Sequence, residues 1–136
     1  QAAAGCIASG VRTFVIQLRG VDASMHDRLS HAPGLFRAME QGIAAVRQIA
    51  SDQNYSVAII MQIELCPHNH TQLGELVRAA LVLGPDAIEL VNTTNHEFDP
   101  NIMALAHAAS TSAGAYLFGD GCDQFLGGQR LYEIVG

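Results

Sequence analysis

The stretch Val57–Val91, VAIIMQIELCPHNHTQLGELVRAALVLGPDAIELV, determines the fold of this 136-residue chain. Its first segment, VAIIMQIEL, is almost wholly apolar, which is typical of a strand covered on both faces of a sheet. In the amphipathic segment that follows, apolar residues recur at helical spacing: Leu73, Leu76, Val77, Ala80 and Leu81. Gly84 and Pro85 end this helix, and AIELV is a second buried strand. The stretch therefore predicts a strand–helix–strand unit, whose two strands must be parallel.

The same order of elements recurs on both sides of this unit. Residues 11–18 are apolar and β-branched and predict an earlier strand, which we also expect to be covered on both faces, and LFRAMEQGIAAVRQIA predicts the helix after it. NIMALAHAAST predicts a third helix, and AYLF predicts a fourth strand. We therefore expect an α/β fold with parallel β/α repeats that form part of a (β/α) TIM-like barrel, or alternatively a small doubly wound sheet. In both architectures the chemistry lies at the carboxyl ends of the strands.

Composition limits the class of partner. The formal net charge is −6 with only seven Lys plus Arg, which argues against nucleic acid and against an anionic membrane surface. No apolar run approaches the ~20 residues that a transmembrane helix needs. We find no secretory signal in the first residues either, so we expect a cytoplasmic location. Three dispersed cysteines form a poor disulfide framework, so we expect reduced thiols. The sequence contains no lysine, which excludes Schiff-base catalysis within it.

The segment FVIQLRGVDASMHDRL, Phe14 to Leu29, runs from a strand into a cluster of charged residues. Gly20 allows the backbone to turn sharply and leaves room for a ligand. Asp22, His26 and Asp27 lie close together and could act as acid and base. Asp is also a preferred helix N-cap residue, and we favour a cap at Asp22 over acid–base work.

Two other loops carry groups that can bind metals. CPHNH offers one thiol and two imidazoles, but zinc sites usually draw ligand pairs from two separate loops, so this signal is weak. Asn69 or Thr71 is expected to cap the helix that follows. Cys122, in the loop GDGCDQ, is expected to be accessible. Because neighbouring acids disfavour its thiolate, a metal or cluster ligand is its better functional role, and an idle thiol is the alternative.

Taken together, Gly10–Arg47 and Val57–Val91 resemble the middle of the radical S-adenosylmethionine enzymes, in the branch with a C-terminal auxiliary-cluster extension of SPASM or twitch type. The positions in register with that family are Gly20, Asp22, His26, Asp27, Arg28, Gly34, Phe36, Asn69, Leu73, Leu76, Gly84, Asp86 and Ile88. The resemblance implies that residues 1–119 are the later portion of the barrel. It also implies that residues 120–136 begin the auxiliary-cluster extension.

The resemblance implies site residues and cofactors as well. Gln17, Arg19, Gly20 and Gln62 would contact S-adenosylmethionine, and Cys122 would be a metal ligand of the extension. Arg19 stands where the family has Asp, and Gln17 stands where it often has Ser. The CxxxCxxC loop that holds the family's [4Fe–4S] cluster is absent from this sequence.

The resemblance implies a fragment of a radical S-adenosylmethionine enzyme that modifies a peptide or builds a cofactor, and that is inactive as an isolated segment. Both ends of the sequence read as cut, so we expect a longer parent protein. Its substrate would be a small molecule or a peptide, and the two edges of an incomplete sheet invite pairing with a second copy. The alternative, motivated by Gln17 and Arg19, is a non-catalytic half-barrel or flavodoxin-like module that binds a small molecule or a partner.

Overall fold

The structure is a computed structural model that describes residues 2–122, which form five α-helices and four strands. The elements in chain order are α1 (Ala2–Ala8), β1 (Thr13–Leu18), α2 (Ala23–Ser30), α3 (Leu35–Asp52), β2 (Ala58–Leu65), a short 3-10 turn (His70–Gln72), α4 (Leu73–Val82), β3 (Ala87–Asn92), α5 (Pro100–Ser112) and β4 (Tyr116–Gly119). The strands and helices predicted between residues 11 and 119 all form. Most of the predicted extension, residues 120–136, lies outside the described residues.

Local sequence signals explain where two of the helices begin. The Asp22 carboxylate accepts a hydrogen bond from the Met25 main-chain nitrogen at 2.8 Å, which confirms the predicted cap of α2. Asp99 caps α5 in the same way, and Pro100 occupies the first helical turn, where its missing N–H costs nothing.

The four strands form one sheet in the order β1-β2-β3-β4, and every neighbouring pair is parallel. The predicted parallel β/α repeats are confirmed. Crossovers between parallel strands are right-handed in nearly all proteins. Because these strands are neighbours in both sequence and space, we expect the connecting helices on one face of the sheet. We call the opposite side the helix-free face, since none of the described helices is expected there.

The helix-covered face forms the core. Its strand side chains are buried against helix side chains such as Leu76 and Met103; they include Leu18, Ile59, Met61, Ile63, Leu65, Ile88, Leu90 and Leu117. The prediction that the first strand is covered on both faces is wrong, because Val15 on its other side is 54% exposed. Within residues 2–122 no helix has the length and apolarity that crossing a bilayer requires.

The amino-terminal edge of the sheet is braced by Asp86. Its Oδ2 accepts from the Ile59 main-chain nitrogen at 2.8 Å and from Arg47 Nη2 at 3.1 Å. The Asp86 carboxylate, immediately before β3, therefore links α3 to β2 at the edge of the sheet opposite the carboxyl ends of the strands.

Candidate functional site

A row of polar side chains crosses the helix-free face near the carboxyl ends of the strands. We call it the polar ladder; it consists of Gln17, Arg19, Gln62, Glu64 and Glu89. Gln17 Nε2 donates to Gln62 Oε1 at 3.0 Å, and Gln62 Nε2 donates to Glu89 Oε1 at 2.6 Å. Arg19 Nη2 donates to Gln17 Oε1 at 3.2 Å and to Glu64 Oε2 at 3.3 Å.

Strand register brings these side chains together. Gln17 pairs with Gln62 across β1 and β2, and Gln62 pairs with Glu89 across β2 and β3. Because side chains alternate between the two faces of a strand, a residue two positions further along points to the same side. Arg19 and Glu64 therefore share the face of Gln17 and Gln62.

The ladder is accessible and carries one positive and two negative groups. The Arg19 and Glu64 side chains are 32% and 29% exposed. At this exposure an ion pair contributes less than about 1 kcal/mol, so a ligand could replace it at small cost. The amides, carboxylates and guanidinium together can donate to and accept from a polar organic molecule.

Three of the four predicted cofactor-contacting residues, Gln17, Arg19 and Gln62, meet in this ladder. Glu64 and Glu89 were missed by the sequence interpretation. Each is an acid within a mostly apolar strand: Glu64 lies two positions after Gln62 in β2, and Glu89 lies in the middle of β3. That placement was the available signal.

The free space expected beside Gly20 is absent. It is buried, and a Cβ atom added to it would lie 2.2 Å from the His26 main-chain nitrogen. The space that we expected for a ligand is filled by the backbone of α2. Gly20 is therefore required for the close approach of that helix.

Two buried side chains hold the main chain where β1 ends. His26 is 2% exposed, and its Nδ1 accepts from the Arg19 main-chain nitrogen at 3.0 Å. The proton of the neutral imidazole is therefore on Nε2. Burial lowers the pKa of His26 below its usual 6.5; Asp27 opposes this shift and Arg19 adds to it.

Asn69 holds the same point from the other side. It is fully buried, and its Nδ2 donates to the carbonyls of Arg19 at 2.8 Å and Glu64 at 3.0 Å. The prediction that Asn69 caps α4 is wrong, because its Oδ1 accepts from the Cys66 main-chain nitrogen and no side chain caps the helix. Thr71 does not cap it either, since the residue before α4 is Gln72.

A second feature lies beyond the ladder at the carboxyl edge. The imidazoles of His70 and His96 stack with centroids 4.2 Å apart and planes 6° from parallel. They line a cavity of about 350 Å³ with Asn92, Thr94 and Asp99. Parallel rings direct their nitrogens side by side rather than toward one point, so this pair is poorly arranged to share a metal ion.

Cys122 is fully buried, which corrects the expected accessible loop, and its Sγ lies 3.8 Å from the Asp120 carbonyl oxygen. Across the described range no group of three or more His, Cys, Asp or Glu side chains is arranged to hold a metal ion. The role of Cys122 as a ligand stays a prediction.

Neither a scan against protein-family models nor a search of curated proteins found a match to this chain.

Proposed function

We propose that this chain is the later part of the β/α barrel of a radical S-adenosylmethionine enzyme, and that its polar ladder contacts S-adenosylmethionine. The observation that carries this proposal is the convergence of Gln17, Arg19 and Gln62 on one face of the sheet. The sequence resemblance assigned the same three residues to the cofactor.

The chemistry of the ladder suits this ligand. S-adenosylmethionine carries a sulfonium and an ammonium cation, a carboxylate and two ribose hydroxyls. Glu64 and Glu89 supply negative charge for the cations, and Arg19 supplies paired donors for the carboxylate. The amides of Gln17 and Gln62 can each donate to and accept from a hydroxyl.

The residues present do not fit the second cofactor, the [4Fe–4S] cluster. Among the described residues no three or more His, Cys, Asp or Glu side chains are arranged to hold a metal, and the family's CxxxCxxC loop is absent from the sequence. Together these two cofactors supply the radical chemistry of the family, so the proposal requires a cluster loop elsewhere in a longer parent protein. The parent enzyme would act on a peptide or in cofactor biosynthesis, in the cytoplasm, where thiols such as Cys6, Cys66 and Cys122 stay reduced.

Calorimetric titration of the 136-residue chain with S-adenosylmethionine tests the ladder directly. We expect Gln62→Ala to weaken binding roughly tenfold, the effect of about 1.4 kcal/mol. Gln41→Ala, on the exposed side of α3, is the matched control and should leave the affinity unchanged. Equal affinities of wild type and Gln62→Ala would refute the assignment.

The coding sequence upstream of Gln1 tests the family. Since a complete (β/α)₈ barrel has about 250 residues, the preceding segment of roughly 100 residues should contain a CxxxCxxC loop. Its absence there would end the radical S-adenosylmethionine proposal.

A second candidate is a non-catalytic module that binds another small polar molecule or a partner. It is favoured by Gln17 and Arg19, which stand where the family has Ser and Asp. Anaerobic reconstitution of the full-length protein with iron and sulfide distinguishes the two. An iron–sulfur absorption band would count against this second candidate.

A homo-oligomer is also part of the proposal. β1 and β4 are the outer strands of the described sheet, and outer strands present unpaired main-chain groups. Analytical ultracentrifugation should detect a dimer, and a monomer at high concentration would remove this element of the proposal.

A further inference from the structure

We infer that Asn69 and His26 are positioning residues, which hold the main chain at Arg19 and thereby direct its guanidinium along the polar ladder. This inference rests on the proposed function only in taking the ladder as the ligand site. Both side chains come from outside β1, and both are at least 98% buried.

The main chain at Arg19 lies just past the end of regular pairing. The last register pair between β1 and β2 is Leu18 with Ile63, one position before Arg19 and Glu64. Beyond this pair, the main chain of Arg19 forms its hydrogen bonds with side chains instead of with the neighbouring strand. The Arg19 nitrogen donates to His26 Nδ1, and the Arg19 carbonyl accepts from Asn69 Nδ2.

The orientation of the Asn69 amide is forced by its partners. Two of them are carbonyl oxygens, which only accept, and the third is the Cys66 N–H, which only donates. Rotating the side-chain amide by 180° would place its oxygen against the two carbonyl oxygens and its NH₂ group against the Cys66 N–H. Asn69 therefore joins the Arg19 and Glu64 carbonyls in one arrangement only.

Those two carbonyls belong to the residues whose side chains form the ladder's ion pair, 3.3 Å apart. Fixing both main chains from the buried side sets the distance between the two side chains on the accessible side. A ligand then meets a guanidinium that is already in place, which reduces the ordering cost of binding.

A double-mutant cycle tests whether Asn69 acts through Arg19. Asn69→Asp keeps the acceptor for Cys66 and removes both donors, while Asn101→Asp, at an exposed position of α5, is the matched control. In calorimetric titrations with S-adenosylmethionine, Asn69→Asp should weaken binding about tenfold in the wild-type background and less than twofold in an Arg19→Ala background. Equal losses in both backgrounds would overturn the inference.

Amide hydrogen exchange of Arg19 by NMR gives a readout that does not depend on the ligand. We expect faster exchange at Arg19 in Asn69→Asp than in wild type, and no change in Asn101→Asp. If wild type binds no S-adenosylmethionine, the proposed function fails. The exchange rate of Arg19 then tests the positioning role by itself, and an unchanged rate in Asn69→Asp would overturn the inference. Should Asn69→Asp fail to fold by circular dichroism, the uncharged Asn69→Ser variant takes its place in both measurements.

Discussion

Gln62 and Glu89 lie directly opposite each other in adjacent parallel strands, and the Gln62 side-chain nitrogen donates to Glu89 Oε1 across 2.6 Å. Both side chains lie on the helix-free face, where Gln62 also accepts from Gln17. Glu89 places a carboxylate in the middle of β3. Its negative charge leads to a specific prediction about which ligands bind.

Glu89→Gln should weaken the binding of cationic S-adenosylmethionine more than that of its neutral thioether analogue S-adenosylhomocysteine. The substitution keeps the size of the side chain and removes the negative charge that would attract the sulfonium, so we expect a difference of roughly threefold to tenfold between the ligands. Calorimetry on both ligands measures it. Glu40→Gln, exposed on α3, is the control, and an equal loss for both ligands would exclude an electrostatic role.

Two glycines should respond in opposite ways to substitution by alanine. Gly20→Ala places Cβ 2.2 Å from the main chain of α2 and should destabilise the protein by about 2 kcal/mol or more. Gly42→Ala lies within α3 with open space around its Cβ, and should stabilise by about 0.5–1 kcal/mol. Urea denaturation measures both, and a neutral Gly20→Ala would show that α2 can move away.

Because of His26, the protein should become less stable as the pH falls below 6.5, the ordinary pKa of a histidine side chain. Its pKa is lowered in the folded protein by burial, so the unfolded chain takes up the proton first. The stabilisation is complete above pH 6.5 and is lost as the pH falls through the lowered pKa. Protonated Nδ1 can no longer accept from Arg19. Urea denaturation between pH 5 and 7.5 should show a shallower dependence in His26→Gln than in wild type, and identical slopes would contradict this assignment.

Asp86→Ala should destabilise the protein by about 1–2 kcal/mol, chiefly because the Ile59 N–H loses its acceptor. The ion pair with Arg47 contributes little, since both side chains are more than a third exposed. Asp52→Ala, at the exposed end of α3, is the control. Thermal unfolding separates these contributions: Arg47→Ala should cost clearly less than Asp86→Ala, and the reverse order would assign the brace to the ion pair.

The parallel repeats were predictable because strand and helix periodicities are local properties of the sequence. The roles of Gly20 and Asn69 were not. Whether a glycine's free space admits a ligand or a neighbouring helix depends on the path of the chain after the turn. Whether a buried amide caps its own helix or bridges two strands depends on how far β1 extends beside β2. Gln17, Arg19 and Gln62 were identified by resemblance. Glu64 and Glu89 stood out in the sequence as acids within apolar strands, but only the strand register shows that they lie beside those three residues.

The consecutive strand order has a consequence for how the protein is made. Facing residues of the ladder are 45 positions apart between β1 and β2 and only 27 apart between β2 and β3. Since loop-closure entropy grows slowly with such separations, each β/α unit can join its predecessor soon after it leaves the ribosome. Assembly would proceed from the amino to the carboxyl end. A nascent chain that has emerged through β3 would already hold Gln17, Gln62 and Glu89 in register before β4 is translated.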